Sequence, residues 1–295
     1  MSLHKFHATQ TAGIRAVVRP NPVKVIAVSG GKGGVGKSCV AVNLAAALAA
    51  AGKRVLLFDG DLGLANVDVL LGVTPARTLE HVLDGQCTLE EALVEVPQGF
   101  KIIPAASGVA RLACMSPAEH LGLVRAFSNL TMGLDVLIVD TAPGIADSVR
   151  QFCQASQNVL IVMRDEPASL TDAYALVKVL RRDHGTDHFK ILANMTHKPG
   201  EGAALFRTLE RVTSRFLDVV LEYVGEVPED PFVRRAVRRQ RTVIDAYPSS
   251  TASRAFKKLA RTADNWPMVA SARGNLEFFV ERLVGRPNPR PRGLR

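Results

Sequence analysis

Short apolar runs recur along the chain between turn-forming residues. "VKVIAVS" (Val23–Ser29) is β-branched, only seven residues long, and bounded by Pro22 and Gly30, which predicts a buried strand. "RVLLFD", "DVLIVD", "NVLIVM", "FKILANM" and "VVLEYVG" repeat that pattern. Between them lie stretches of helical character: "KSCVAVNLAAALAAAG", which Gly52 should stop, and "DAYALVKVLRR". Continuous apolar strands alternating with helices require a parallel sheet covered on both faces. The predicted fold is therefore α/β: a doubly wound, mostly parallel sheet with helices on both faces.

The pattern weakens at both ends. Residues 1–22 read as a flexible leader ending in "RPNP", and residues 23–270 as one domain. Residues 271–285 contain "NLEFFVERLVG", predicted as an amphipathic helix with Leu276, Phe279, Val280 and Leu283 on one face. Residues 286–295 are rich in Arg and Pro and are expected to be a disordered basic tail. No internal repeat occurs. No apolar stretch approaches the roughly 20 residues that span a bilayer, so a cytoplasmic location is expected.

Charge changes the picture only locally. The formal net charge is +9. Lys5, Arg15 and Arg19 in the leader, five arginines in residues 231–241 and four in residues 286–295 are unaccompanied by acids. Those twelve taken from 37 leave 25 basic residues against 28 acidic ones, so the body is not basic. "FVRRAVRRQR" is predicted as a helix with Val233, Ala236 and Val237 on one side. With no aromatic residue interleaved for stacking, a solvated face or a protein contact is expected of it, and direct DNA binding is not. Cys39, Cys87, Cys114 and Cys153 form no C-x-x-C pair and read as buried, inert thiols.

"GKGGVGKS" (Gly31–Ser38) carries the chemistry. It follows a predicted strand, opens a predicted helix, and fits G-x-x-x-x-G-K-S/T, the phosphate-binding loop. Its glycines, Gly31, Gly33, Gly34 and Gly36, let backbone N–H groups wrap phosphates, with Val35 between them and Cys39 just inside the helix. Lys37 should pair with the β- and γ-phosphates of a nucleotide such as ATP, and Ser38 should ligate Mg²⁺. Asp59 and Asp61 lie past the carboxyl end of one strand and Asp140 ends another, where ligands bind in open α/β sheets. Asp140 is the expected metal-supporting carboxylate; for Asp59 and Asp61 a reading in which they only cap the next helix or solvate a turn stays open.

The second lysine of the loop, Lys32, points to a family. "KGGVGKS" resembles the deviant Walker A motif of the MinD/ParA superfamily, whose signature lysine reaches across an ATP-sandwich dimer. The resemblance implies that Lys32 acts in trans, that Asp61 in "DGDLGLANVD" positions the attacking water while Asp59 supports Mg²⁺ or switch geometry, and that Thr141–Gly144 is a second switch. It further implies that Asn194 contacts adenine and that the segment around Pro228 closes over the base. "DLGLANVDVLLG", "IIPAASG", "DEPASLTDAYALVKVL" and "RFLDVVLEYVGEVPED" resemble the flagellar-number regulators of that superfamily, the FleN/FlhG group, over roughly residues 10–285. Gly60 and Pro143 depart from the group's usual residues.

This resemblance implies an ATPase that forms a homodimer with ATP, antagonises a σ54-dependent master flagellar activator (FleQ-like) and cooperates with a signal-recognition-type GTPase (FlhF-like). "TQTAGIR" (Thr9–Arg15) resembles the group's GTPase-activating element, although a plain leader explains it equally well. Related proteins bind membrane through a C-terminal helix like Leu276–Leu283, which would place the chain peripherally at the inner membrane face. Glu277 and Glu281 on the polar side instead favour a helix docked on the body. Two rival readings remain open, a MinD-like membrane-cycling division-site protein and a ParA-like DNA-partition ATPase.

Overall fold

The computed structural model describes residues 22–105, 115–130, 132–268 and 278–279. The strands are β1 Lys24–Ser29, β2 Val55–Gly60, β3 Val94–Glu95, β4 Lys101–Ile103, β5 Val136–Thr141, β6 Asn158–Met163, β7 His188–Thr196 and β8 Val220–Pro228. They form one sheet in the order β3-β4-β2-β5-β1-β6-β7-β8, parallel throughout except that β3 runs antiparallel to β4. Every residue of β1, β2, β5 and β6 is buried, which is why these runs lack the polar alternation of a one-sided sheet.

Ten helices are described: α1 Lys37–Ala50, α2 Val67–Leu71, α3 Leu79–Leu83, α4 Pro117–Ser128, α5 Asp147–Ala155, α6 Pro167–His184, α7 Glu201–Phe216, α8 Pro231–Arg238, α9 Val243–Ala246 and α10 Thr251–Asp264. Alternate strand residues sort them into layers. Ile26 and Val28 of β1 share a cluster with Leu44 of α1 and Phe256 of α10, while Val25 packs with Phe127 of α4 and Phe152 of α5. Ala27 joins a third cluster with Leu176 of α6 and Leu209 of α7. The doubly wound architecture expected from the sequence is thus observed.

α1 begins without a side-chain cap, after Gly36 in the left-handed region, and has no acid in its first turn. Its stability comes instead from burial on several sides: Val40, Leu44 and Leu48 are each at most 1% exposed, and each such side chain contributes about 1.5–3 kcal/mol. The amino-terminal N–H groups of α1 therefore stay available for an anion.

Two expectations are corrected. α8 stops at Arg238, and Val237 is 38% exposed rather than sharing the buried side with Ala236. Phe278 and Phe279 form a turn, with Phe279 at φ 57°, so no helix runs through them. Both are 1% exposed. The Phe278 N–H donates to the Ala155 carbonyl, and its ring meets Phe127 edge-on at 5.1 Å. Phe279 is thus core, because two adjacent phenyl groups bury more apolar area in the body than on a helix face. Leu276, Val280, Leu283, the leader with Thr9–Arg15, and the basic tail lie outside the described residues. No helix among the described residues is long and apolar enough to cross a membrane.

Candidate functional site

β1, β2 and β5 bring the predicted site residues to one end of the sheet. β2 and β5 are in register so that Asp59 sits beside Asp140, and β1 places Val28 beside Asp140 on the other side. The phosphate-binding loop leaves β1 at Gly30 and ends where α1 starts. Gly31 has no room for a side chain: a Cβ there would lie 2.2 Å from the Asp172 carbonyl of α6. Gly36 is required twice over, by φ +90° and by the Asn194 side chain, which a Cβ would meet at 2.4 Å.

Lys37 is buried, and its Nζ donates to the Lys32 carbonyl at 3.2 Å, folded onto the loop itself. Burial pulls its pKa down, opposed by Asp140 and Asp61. The pKa of Asp140 is raised, first by burial and then by the neighbouring Asp59, while Ser38 and Lys37 pull it back. Its Oδ1 is buried with no hydrogen-bond partner. Asp61 is half-buried and also raised by burial, with the Leu64 N–H and Lys37 acting against the shift.

Asp59 differs from its neighbours. Its carboxylate accepts from the N–H groups of Asp61 (3.2 Å), Asn66 (2.9 Å) and Val67 (3.0 Å), so it shapes the loop after β2 and caps α2. Of the readings open for it, capping the next helix and holding the loop geometry are the ones its bonds serve. Ser38 and Asp140 remain as the residues that fit a metal. An orphaned buried carboxylate oxygen beside a serine and a lysine, at an uncapped helix start, suits Mg²⁺ bound with nucleotide phosphates. No group of three or more His, Cys, Asp or Glu side chains is placed to hold a metal among the described residues. Mg²⁺ held largely by phosphates and water needs none.

Lys32 points away from Lys37. Its Nζ pairs with Glu166 Oε2 at 3.1 Å, and Arg164 approaches the same carboxylate at 3.3 Å. Lys32 and Arg164 hold the Glu166 carboxyl below its ordinary pKa. The Thr141–Gly144 segment is anchored as well: the Gly144 N–H donates to the Gly30 carbonyl at 3.1 Å, and the Thr141 hydroxyl to Ser29 Oγ at 3.0 Å.

Asn194 and Pro228 meet at one cavity, with Cys39, Met195, Val227 and Phe256 also on its wall. The Asn194 amide donates to the Val35 carbonyl at 2.8 Å, so it braces the loop from the same wall. Met195 is left-handed, at φ 58°, where the β7–β8 register shifts. Sequence reasoning missed that strained residue, for which methionine gives no signal, and missed Glu166, which stood unused in "DEPAS". Burial pushes the Cys39 thiol up to about 11 and Cys153 up to about 12, which suits inert thiols.

Comparison with known proteins agrees with this geometry. A ParA family model described as "NUBPL iron-transfer P-loop NTPase" matches residues 21–263. The chain is 59% identical to antiactivator FleN of Pseudomonas aeruginosa over 90% of this chain and 95% of FleN. It is 35% identical to the flagellum site-determining protein YlxH of Helicobacter pylori, over 80% of each. Among solved structures, the septum site-determining protein MinD of Pyrococcus horikoshii, complexed with Mg-ADP, superimposes with a TM-score of 0.69 at 26% identity, covering 83% of this chain and 97% of that one. The chain belongs to the MinD/ParA family of P-loop NTPases and, within it, to the flagellar group that contains FleN.

Proposed function

We propose that this chain is an ATP-dependent dimerising ATPase that regulates flagellar number by antagonising a σ54-dependent master activator, and that it works with an FlhF-like GTPase. The observation that carries the reading is the 59% identity to an antiactivator across nearly the whole of both chains. In this reading Lys37 and the α1 amino terminus bind the ATP phosphates, and Ser38 and Asp140 would hold Mg²⁺. The metal supplies charge neutralisation at the β- and γ-phosphates. Asp61 orients the attacking water, and Asn194 and Pro228 border the base. Lys32 leaves Glu166 and reaches the phosphates of a second copy, where a trans cation stabilises the developing charge.

The test is ATP-dependent capture from a lysate of its own cells with Asp61→Ala as bait, because loss of the water-orienting carboxylate should trap the ATP-bound dimer. A σ54-type activator or the GTPase should be retained over an ADP control. Retention of a division-site protein instead would replace the proposed output. Lys32→Ala should bind ATP yet lose dimerisation and most turnover, roughly 10³-fold by analogy with trans cations. Undiminished ATP-dependent dimerisation would remove Lys32 from that role.

A further inference from the structure

We propose that Gln240, in the turn between α8 and α9, is a positioning residue for ATP hydrolysis: its side chain pins α2 and so fixes the Asp61 loop near Lys37. This role rests on the reading in which Asp61 orients the attacking water. α2 cannot hold itself, because its five residues are far fewer than an isolated helix needs. Only Val67 and Leu71 of it are buried. Asp59 clamps the amino end by accepting from the Asn66 and Val67 N–H groups. The Gln240 amide clamps the other end, donating to the Val69 carbonyl at 3.1 Å. Gly72, which closes α2 at φ 66°, lies so near that a Cβ there would meet the Gln240 Cβ at 2.8 Å. Asp61 lies in the chain strung between β2 and α2, so whatever sets α2 sets the reach of its carboxylate.

The turn that carries Gln240 is itself held from the nucleotide side. The Val243 N–H donates to Asn43 Oδ1 at 2.9 Å, and the Asn43 amide donates to the Cys39 carbonyl at 2.8 Å, in the first turn of α1 and two residues past Lys37. Arg241 pairs with Asp245 at 2.7 Å, and the Thr242 hydroxyl accepts from the Asp245 N–H at 3.2 Å, which stiffens the turn. Val243 and Ile244 share one core cluster with Val40 and Leu44 of α1 and with Val67 and Leu71 of α2. The turn therefore bridges the helix that carries Lys37 and the helix that ends the Asp61 loop.

The backbone shows that the glutamine is there for its side chain. Gln240 is left-handed, at φ 53°. Its N–H donates to the Val237 carbonyl at 2.9 Å, and the Arg241 N–H donates to the Ala236 carbonyl at 3.1 Å. That pair of bonds is the helix ending in which glycine is favoured, since a left-handed residue with a Cβ is strained. Glycine would close α8 with less strain, but it would leave α2 without the amide. Strain retained where a side chain reaches the reactive loop is a functional constraint.

The test is steady-state phosphate release by the full chain with Mg²⁺–ATP, at protein concentrations where turnover per chain has levelled off, alongside thermal melting. Gln240→Gly should lower kcat roughly three- to tenfold, the size of one lost hydrogen bond, with KM for ATP within about twofold of wild type. Its melting temperature should equal or exceed that of wild type, because the left-handed strain is relieved. Gln240→Glu keeps the length without the donor and should match the loss in kcat. Gln240→Lys restores a donor and should stay within about twofold of wild type.

Undiminished kcat in Gln240→Gly and Gln240→Glu would overturn the proposal. So would a melting temperature that falls together with kcat, which would make Gln240 a structural clamp. A loss in Gln240→Lys as deep as that in Gln240→Glu would remove the donor role. Asp61→Ala, measured beside them, separates the two levels. Normal turnover in Asp61→Ala would sink the water-orienting reading and leave Gln240 nothing to position, whereas a large loss there with normal Gln240 variants would sink the proposal alone.

Discussion

The two ends of the sheet handle charge in opposite ways. At the amino ends of the strands, Arg54 and Asp135 form a two-pronged pair at 2.6 and 3.1 Å, Lys53 meets Asp264, and the Lys24 ammonium donates to the Ala263 and Asp264 carbonyls that end α10. At the carboxyl ends, burial raises the pKa of Asp59, Asp61 and Asp140 around a single buried lysine, Asp59 and Asp61 add to the shift of Asp140, and one oxygen of Asp140 has no hydrogen-bond partner. The first arrangement completes a fold. The second is unfavourable until a cation and an anion arrive together, and that asymmetry locates the ligand end without a ligand.

The largest effect that would break this comparison is in Asp140→Asn. Removing a fully buried carboxylate that two neighbouring aspartates also disfavour should raise the melting temperature of the nucleotide-free protein while lowering Mg²⁺-dependent turnover at least about a hundredfold. Thermal melting and phosphate release check the two signs together. A variant less stable than wild type would mean that Asp140 is a structural charge like Asp135.

The pH dependence sharpens the same point. Burial raises Asp59 to about 7 and Asp140 to about 8, above the roughly 3.9 of an unfolded aspartate. Between those limits the folded chain holds more protons than the unfolded one, so stability falls as pH rises. The nucleotide-free protein should therefore melt at a higher temperature at pH 5 than at pH 8, with Asp140→Asn flattening the trend. Mg²⁺–ADP should oppose it by replacing those protons with metal charge. A melting temperature that rises over this range would show that other groups outweigh the pair.

What the sequence disclosed follows from how far each signal reaches along the chain. β1, β2, β5, β6 and α1 were legible because burial on several sides writes unbroken apolar runs, whereas the two- and three-residue β3 and β4 are too short to do so, and the loop at Gly31–Ser38 was legible because phosphate binding fixes both glycines and lysine. Long-range pairings left no such record. Nothing near Lys32 announces Glu166, and for Asp59 helix capping was only one open reading among several until its oxygens were seen to meet the Asn66 and Val67 N–H groups. The terminal phenylalanines misled because an amphipathic spacing also suits residues that turn inward, and Phe279 does so at a left-handed φ.

The smallest expected effect lies at the satisfied end, in Lys24→Met. The substitution keeps most of the buried apolar stem but removes the ammonium, whose pKa burial already pushes down and Asp264 props up. The Ala263 and Asp264 carbonyls lose their donor, and leaving buried acceptors unmet costs about 1–3 kcal/mol. Relief from desolvating a lysine offsets part of that, so the melting temperature should fall by only a few degrees. Because α10 also walls the cavity of Asn194 and Pro228 through Phe256, the affinity for ATP reports whether the damage travels. Turnover and ATP affinity within twofold of wild type would keep the two ends independent. A loss of ATP binding as large as that of a loop variant would show that the amino end of the sheet positions the nucleotide through α10.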